Sequence, residues 1–214
     1  MRKMHRTVIS MAGVALAAGT ALGSGMPAAS AATAGPSAAG APMNIPSGFT
    51  EGFLVNAKSG KCLVPSRENP LDNGDLVVQL PCNGTTGQAW EFEPVGDQMF
   101  INMLWPLDDI TEPSYHIVNA GTGLCLDDRD GVSSDGAAVQ EWACNSTSTS
   151  MMWAHLPSGA PDGSDVIFNA HASRIRSDFM ALGMASGSTE DNVPAQLFSG
   201  HATTSMEFTY NRVV

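Results

Sequence analysis

The sequence predicts an all-β fold of three four-stranded units related by pseudo-threefold symmetry. Three observations carry that expectation. Apolar segments are short, contain Val and Ile, and are bounded by Gly, Asn, Asp or Pro, as in regularly spaced strands. Outside the amino-terminal segment no long stretch keeps a helical period. A unit of roughly 40 residues recurs, and an internal repeat constrains architecture more than any local signal.

The clearest unit runs YHIVNAGTGLCLDDRDGVSSDGAAVQEWACNSTSTSMMW, from Tyr115 to Trp153. The same order occurs earlier, from FLVNAKSGKCLV at Phe53 to VVQLPCNGTTGQAWEF ending at Phe92. Aligned, Asn56 falls on Asn119, Cys62 on Cys125, Gln79 on Gln140, Cys82 on Cys144 and Trp90 on Trp153. Strands are expected at 53–56, 63–65, 77–80 and 89–93, then at 115–119, 124–127, 138–142 and 152–155. A worn third unit offers 166–170, 179–182, 195–198 and 206–208. There Met206-Glu207-Phe208 aligns with Trp90-Glu91-Phe92. The three units span about 52–94, 115–156 and 165–211.

The amino terminus reads as an address. Arg2, Lys3 and Arg6 precede an apolar run over 7–22, and Ala29-Ser30-Ala31 supplies a small-x-small cleavage site. This is the layout of a secretory signal peptide over 1–31; the run is too short and too Gly-interrupted for a membrane anchor. Residues 32–46 are mostly Ala, Gly, Pro, Ser and Thr, a flexible leader that cannot build a core. Residues 47–214 then suit one domain, expected to be secreted and to stand alone.

Charge narrows the partners. The chain has ten basic and twenty-one acidic residues, and the signal segment holds three of the basic ones and none of the acidic. The remainder repels phosphate backbones and anionic lipid, so neither nucleic-acid binding nor membrane insertion is expected. All four cysteines lie in the two clear units, which in an exported chain points to disulfides. If both units fold alike, Cys62 bonds Cys82 and Cys125 bonds Cys144, each bridge contributing about 3 kcal/mol. A competing zinc site would lack any Cys-x-x-Cys pair and any nearby His pair.

Catalytic motifs are not evident. Placing Gly131 of Asp127-Asp128-Arg129-Asp130-Gly131 sixth in a calcium loop puts Leu126 first and Ala137 twelfth, where acids are needed. His116, His155, His171 and His201 form no metal spacing, and His116 and His155 fall in expected strands. No Gly-x-Ser-x-Gly elbow occurs. The expectation is a protein that is not an enzyme, with no metal and no cofactor. Asn83-Gly84-Thr85 and Asn145-Ser146-Thr147 match the glycosylation pattern.

The order N-x-x-(S/T)-G-x-C-L-(D), then (V)-Q-x-(W)-x-C-N, then (Q)-x-W resembles the ricin B-type lectin domain over about 53–210. The resemblance implies a β-trefoil in which a closing Gln-x-W packs each unit. Gln88-Ala89-Trp90 matches it, Met151-Met152-Trp153 keeps only the Trp, and the third unit has Met206. It also implies sugar binding. An aromatic face stacks on the C–H side of a pyranose, and a fixed carboxylate or amide bonds adjacent hydroxyls. In this family the carboxylate follows Cys-Leu, the aromatic lies two residues after the strand Gln, and an Asn precedes the closing Trp. The second unit has Asp127, Gln140 and Trp142, with Ser150 where the Asn would stand. The first unit has Val64 and Leu80-Pro81 at those places. The third keeps Gln196 and Phe198 but has Gly183 near the carboxylate position. One sugar site is therefore expected, for galactose- or mannose-type glycans. The alternative is a trefoil that has lost sugar binding and acts on a protein partner, as a toxin-complex subunit or inhibitor, through the extra residues 98–113 around Trp105.

Overall fold

The computed structural model describes residues 51–66, 73–101, 110–132, 134–176, 179–200 and 203–212. The expected signal peptide, the leader and Trp105 lie outside them. The first unit contributes β1 (Glu51–Asn56), β2 (Cys62–Pro65), β3 (Val77–Leu80) and β4 (Ala89–Ile101). The second contributes β5 (Ile110–Asn119), β6 (Cys125–Asp128), β7 (Ala137–Trp142) and β8 (Trp153–Pro157). The third contributes β9 (Asp165–Asn169), β10 (Met180–Met184), β11 (Val193–Ser199) and β12 (Glu207–Arg212). A helix not anticipated from the sequence, α1 (Ala170–Arg176), joins β9 to β10.

Six strands close a barrel. β1 pairs β4, then β4 pairs β5, β5 pairs β8, β8 pairs β9, β9 pairs β12, and β12 returns to β1, all antiparallel. The other six strands form the hairpins β2–β3, β6–β7 and β10–β11. These meet one another through β11–β3, β7–β11 and the Leu76–Gln140 bridge. A barrel capped by a triangle of hairpins is the β-trefoil, and closure leaves its barrel without a free edge.

The core repeats in threes because period-2 strands put equivalent residues on the same inner face. Leu54, Ile117 and Ile167 form one set, Leu63, Leu126 and Leu182 a second, and Val77, Val139 and Ala195 a third, all buried. Each large aliphatic side chain buried this way contributes about 1.5–3 kcal/mol. The closing aromatics are Trp90, Trp153 and Phe208, all fully buried. They stand opposite Asn119, Asn169 and Asn56 in the strand register. Phe208, not Met206, therefore occupies the third closing position. Met206 corresponds instead to Gln88 and Met151, each the last residue of the short 3-10 turn before β12, β4 and β8.

Those three asparagines fasten each unit to the one before it. Asn119 Nδ2 donates to the Gly87 carbonyl at 2.8 Å, Asn169 Nδ2 to Ser150 at 2.7 Å, and Asn56 Nδ2 to Ser205 at 3.0 Å. Each Oδ1 accepts from the backbone N–H three residues on, at Thr122, Ala172 and Ser59. In the third unit that bond caps the first turn of α1.

Both disulfides have the expected pairing, Cys62–Cys82 and Cys125–Cys144, with Cα atoms 5.1 and 5.0 Å apart. The extra residues between the first two units lengthen the β4–β5 hairpin. Pairing runs on from Gln98 opposite Pro113 to Ile101 opposite Ile110, beyond an irregularity between Pro94 and Gln98.

Candidate functional site

The β6–β7 register sets the site. Asp127 lies opposite Gln140, and Cys125 opposite Trp142. Alternation along β6 buries Leu126 in the core and turns Asp127 to the other face. Gln140 Nε2 donates to Asp127 Oδ2 at 2.8 Å, and Ser150 Oγ donates to Asp127 Oδ1 at 2.7 Å. Ser150 also exchanges a hydrogen bond with Ser148 at 2.8 Å. The carboxylate is thus held from both sides, with a second lone pair on each oxygen left to accept from a ligand. Trp142 is 42% exposed, one of two large apolar side chains so open among the described residues. All four sequence-predicted residues come together: Asp127, Gln140, Trp142 and Ser150 line one cleft of about 630 Å³.

The same cleft takes in residues the sequence reading did not assign, among them Thr149, His171 and the Asp130–Gly131 turn. His171 belongs to α1 of the third unit, and its Nδ1 is 2.9 Å from Thr149 Oγ1. Its one sequence signal is its place two residues after Asn169, matching Lys58 after Asn56. Lys58 Nζ in turn donates to the Gly187 carbonyl, in the third-unit turn equivalent to Asp130–Gly131.

Two buried carboxyls flank the site. Asp128 is 1% exposed, and neither of its oxygens makes a regular hydrogen bond. Burial, reinforced by the Asp127 and Asp130 charges, pushes its pKa up to about 7 against an opposing pull from the Val132 backbone. Glu141 is equally buried. Burial pushes it up to about 7, with the Thr122 hydroxyl opposing and Asp75 adding to the rise. Thr122 Oγ1 lies 3.1 Å from Glu141 Oε1, as Ser59 Oγ lies 2.7 Å from Gln79 Oε1. Gln79 is therefore the structural equivalent of Glu141, and the counterpart of Gln140 is Val78, opposite Val64. The structure thus shifts this strand by one residue from the sequence alignment, which places Gln79 on Gln140.

The other two units do not repeat the cleft's chemistry. Val64 stands at the carboxylate position of the first unit, paired with Val78. In the third unit Gly183 pairs with Gln196. A Cβ on Gly183 would lie 2.8 Å from Met206 Cγ and 3.1 Å from Phe198 Cδ2, so neighbouring side chains occupy that space.

Among the described residues no three His, Cys, Asp or Glu side chains converge as a metal site. Nor is any described helix long and apolar enough to cross a membrane. Residues 101–198 match the family model described as ricin-type beta-trefoil lectin domain-like. No curated protein sequence matches. Among solved structures, the designed three-fold symmetric protein ThreeFoil aligns at TM-score 0.62 and 21% identity, over 76% of this chain and 99% of its own. The Macrolepiota procera ricin B-like lectin, solved with lactose, aligns at 0.57 and 16%, over 76% and 95%. An exo-beta-1,3-galactanase from Clostridium thermocellum aligns at 0.62 and 24%, over 77% of this chain but 30% of the enzyme.

Proposed function

From a ricin-type β-trefoil lectin-like domain as the starting point, we propose that this protein is a secreted, non-catalytic carbohydrate-binding protein with one sugar site, in its second unit. Asp127 accepts hydrogen bonds from adjacent sugar hydroxyls, Gln140 and Ser150 fix it, and Trp142 stacks on the ring. The observation that carries this reading is the Asp127 carboxylate, gripped on both oxygens beside an exposed indole. That arrangement suits a pyranose, which offers an apolar face and directional hydroxyls together. The lactose-bound Macrolepiota procera lectin and the GalNAc-bound earthworm R-type lectin C-half make galactose-type glycans the first to try. Secretion is supported by the two disulfides and the amino-terminal signal pattern.

A single shallow site should bind weakly, with Kd about 0.1–10 mM, and gains strength only on clustered glycans. The test is a glycan array with the wild type beside Asp127→Ala, followed by titration of the best glycan. Binding is expected to vanish in the variant, with Tm recorded to show that it remains folded. Retained binding sinks the site. A blank array with folded wild type turns attention to a protein partner at the long β4–β5 hairpin, which pull-downs with Trp105→Ala would address.

A further inference from the structure

We propose that the second-unit cleft holds two sugar residues, the second resting against the wall formed by His171, Thr149 and the Asp130–Gly131 turn, so that its ligand is a neutral or amino-bearing disaccharide unit. This rests on the sugar-binding reading above and extends it.

The size of the cleft is the first reason. At about 630 Å³ it sits well inside the range of roughly 300–1,000 Å³ that encloses drug-sized ligands, more than one ring stacked on Trp142 requires. The second reason is its far wall. His171 and Thr149 bond each other through Nδ1 and Oγ1, which fixes the imidazole and leaves Nε2 without a protein partner among the described residues. Nε2 lies 3.1 Å from where a Cβ on Gly131 would be. The ring therefore packs against the turn, and a side chain at position 131 would crowd it.

Comparison within the molecule gives the third reason. In the third unit Lys58 reaches the equivalent turn and donates to the Gly187 carbonyl. In the second unit the shorter, flat imidazole stands in its place, and α1 holds it there. Both side chains reach their turn equally closely, but Lys58 Nζ is committed to a carbonyl, whereas His171 Nε2 keeps a nitrogen able to donate to or accept from a hydroxyl. Charge selects among sugars. Asp127, Asp128 and Asp130 line the cleft and no Lys or Arg does; Arg129 has its Nε 3.8 Å from Asp130. Sialylated, sulfated or uronic-acid units are disfavoured there, and hydroxyl- or amine-bearing ones are accepted.

The experiment is a calorimetric or NMR titration of the mature protein with methyl β-galactoside against lactose, and methyl α-mannoside against α-mannobiose. His171→Ala, Thr149→Val and Trp142→Ala are run in parallel, with Tm measured for each. The disaccharide of the preferred pair should bind at least tenfold more tightly than its methyl glycoside. His171→Ala and Thr149→Val should remove that advantage and leave the methyl glycoside unchanged. Trp142→Ala should lose both. Sialyllactose should bind more weakly than lactose at low salt. Equal affinity for one and two rings, or equal loss of both in His171→Ala, overturns the second subsite and leaves the one-ring lectin reading intact. No binding of any of these sugars to folded wild type overturns both.

Discussion

At the scale of single residues, the site depends on how little freedom its carboxylate has. Asp127 is held by Gln140 and Ser150, so a ligand meets it already oriented, and the ordering cost is largely met by folding. Ser150→Ala removes one of those holds without touching the ring-stacking surface, and should weaken sugar binding about 5- to 30-fold, as expected for a charge-assisted hydrogen bond of roughly 1–2 kcal/mol; titration of the preferred glycan measures it. The third unit illustrates the opposite case. Gly183→Ala drives a methyl group into Met206 and Phe198, and should destabilise by about 1–3 kcal/mol, read by denaturant unfolding. The carboxylate, strand amide, aromatic and hydroxyl were all legible in the sequence, because they share one unit and a fixed spacing from Cys125 and Cys144. His171 was not legible. It comes from the next unit, and only the closed barrel brings α1 over the cleft.

At the scale of elements, the asparagines opposite the closing aromatics do more than their own strands require. Each satisfies a backbone carbonyl of the preceding unit and a backbone amide of its own turn. Asn119→Ala leaves buried groups unpaired on both sides and should cost about 2–4 kcal/mol, visible as a lower denaturant midpoint with the slope unchanged. These pairings also explain what the sequence left ambiguous. Met206-Glu207-Phe208 imitates Trp90-Glu91-Phe92, yet the true register is two residues away. A shift of two keeps every side chain on its face, so apolar pattern alone cannot tell the registers apart, and the position opposite Asn56 decides it. The one-residue slip at Gln79 came from matching glutamines; the bond from Ser59 identifies Gln79 with Glu141 instead. α1 leaves no periodic signal in the sequence. Seven residues give too few turns for a period to show, and Asn169 as its cap was the one local cue.

At the scale of the molecule, the second unit carries a pH liability in two deeply buried carboxyls. Asp128 stands where the third unit has Met184, and Glu141 where the other units have Gln79 and Leu197. Both carboxyls are pushed up to about 7, above their unfolded values, so the folded state binds the extra protons. Stability from this source is fully present near pH 4, falls as pH rises through about 7, and is lost above it. Thermal melts should give a higher Tm at pH 5 than at pH 8. Asp128→Asn should flatten part of that slope and stabilise the protein at pH 8 by roughly 1–4 kcal/mol; an unchanged slope would contradict the assignment. The architecture itself was the most legible part of the sequence, since three repeats of four short apolar segments leave few ways to bury them.

The pairing of β1 with β12, with Gly52 opposite Arg212, has a consequence for engineering. First and last strands are neighbours, so the barrel is topologically a ring, and the place where the polypeptide is cut is incidental to how it packs. A circular permutant that joins the two ends by a short linker and opens between Gly159 and Ala160, in the turn between β8 and β9, should fold with both disulfides. It would move the new termini to that turn and allow a reporter to be attached there.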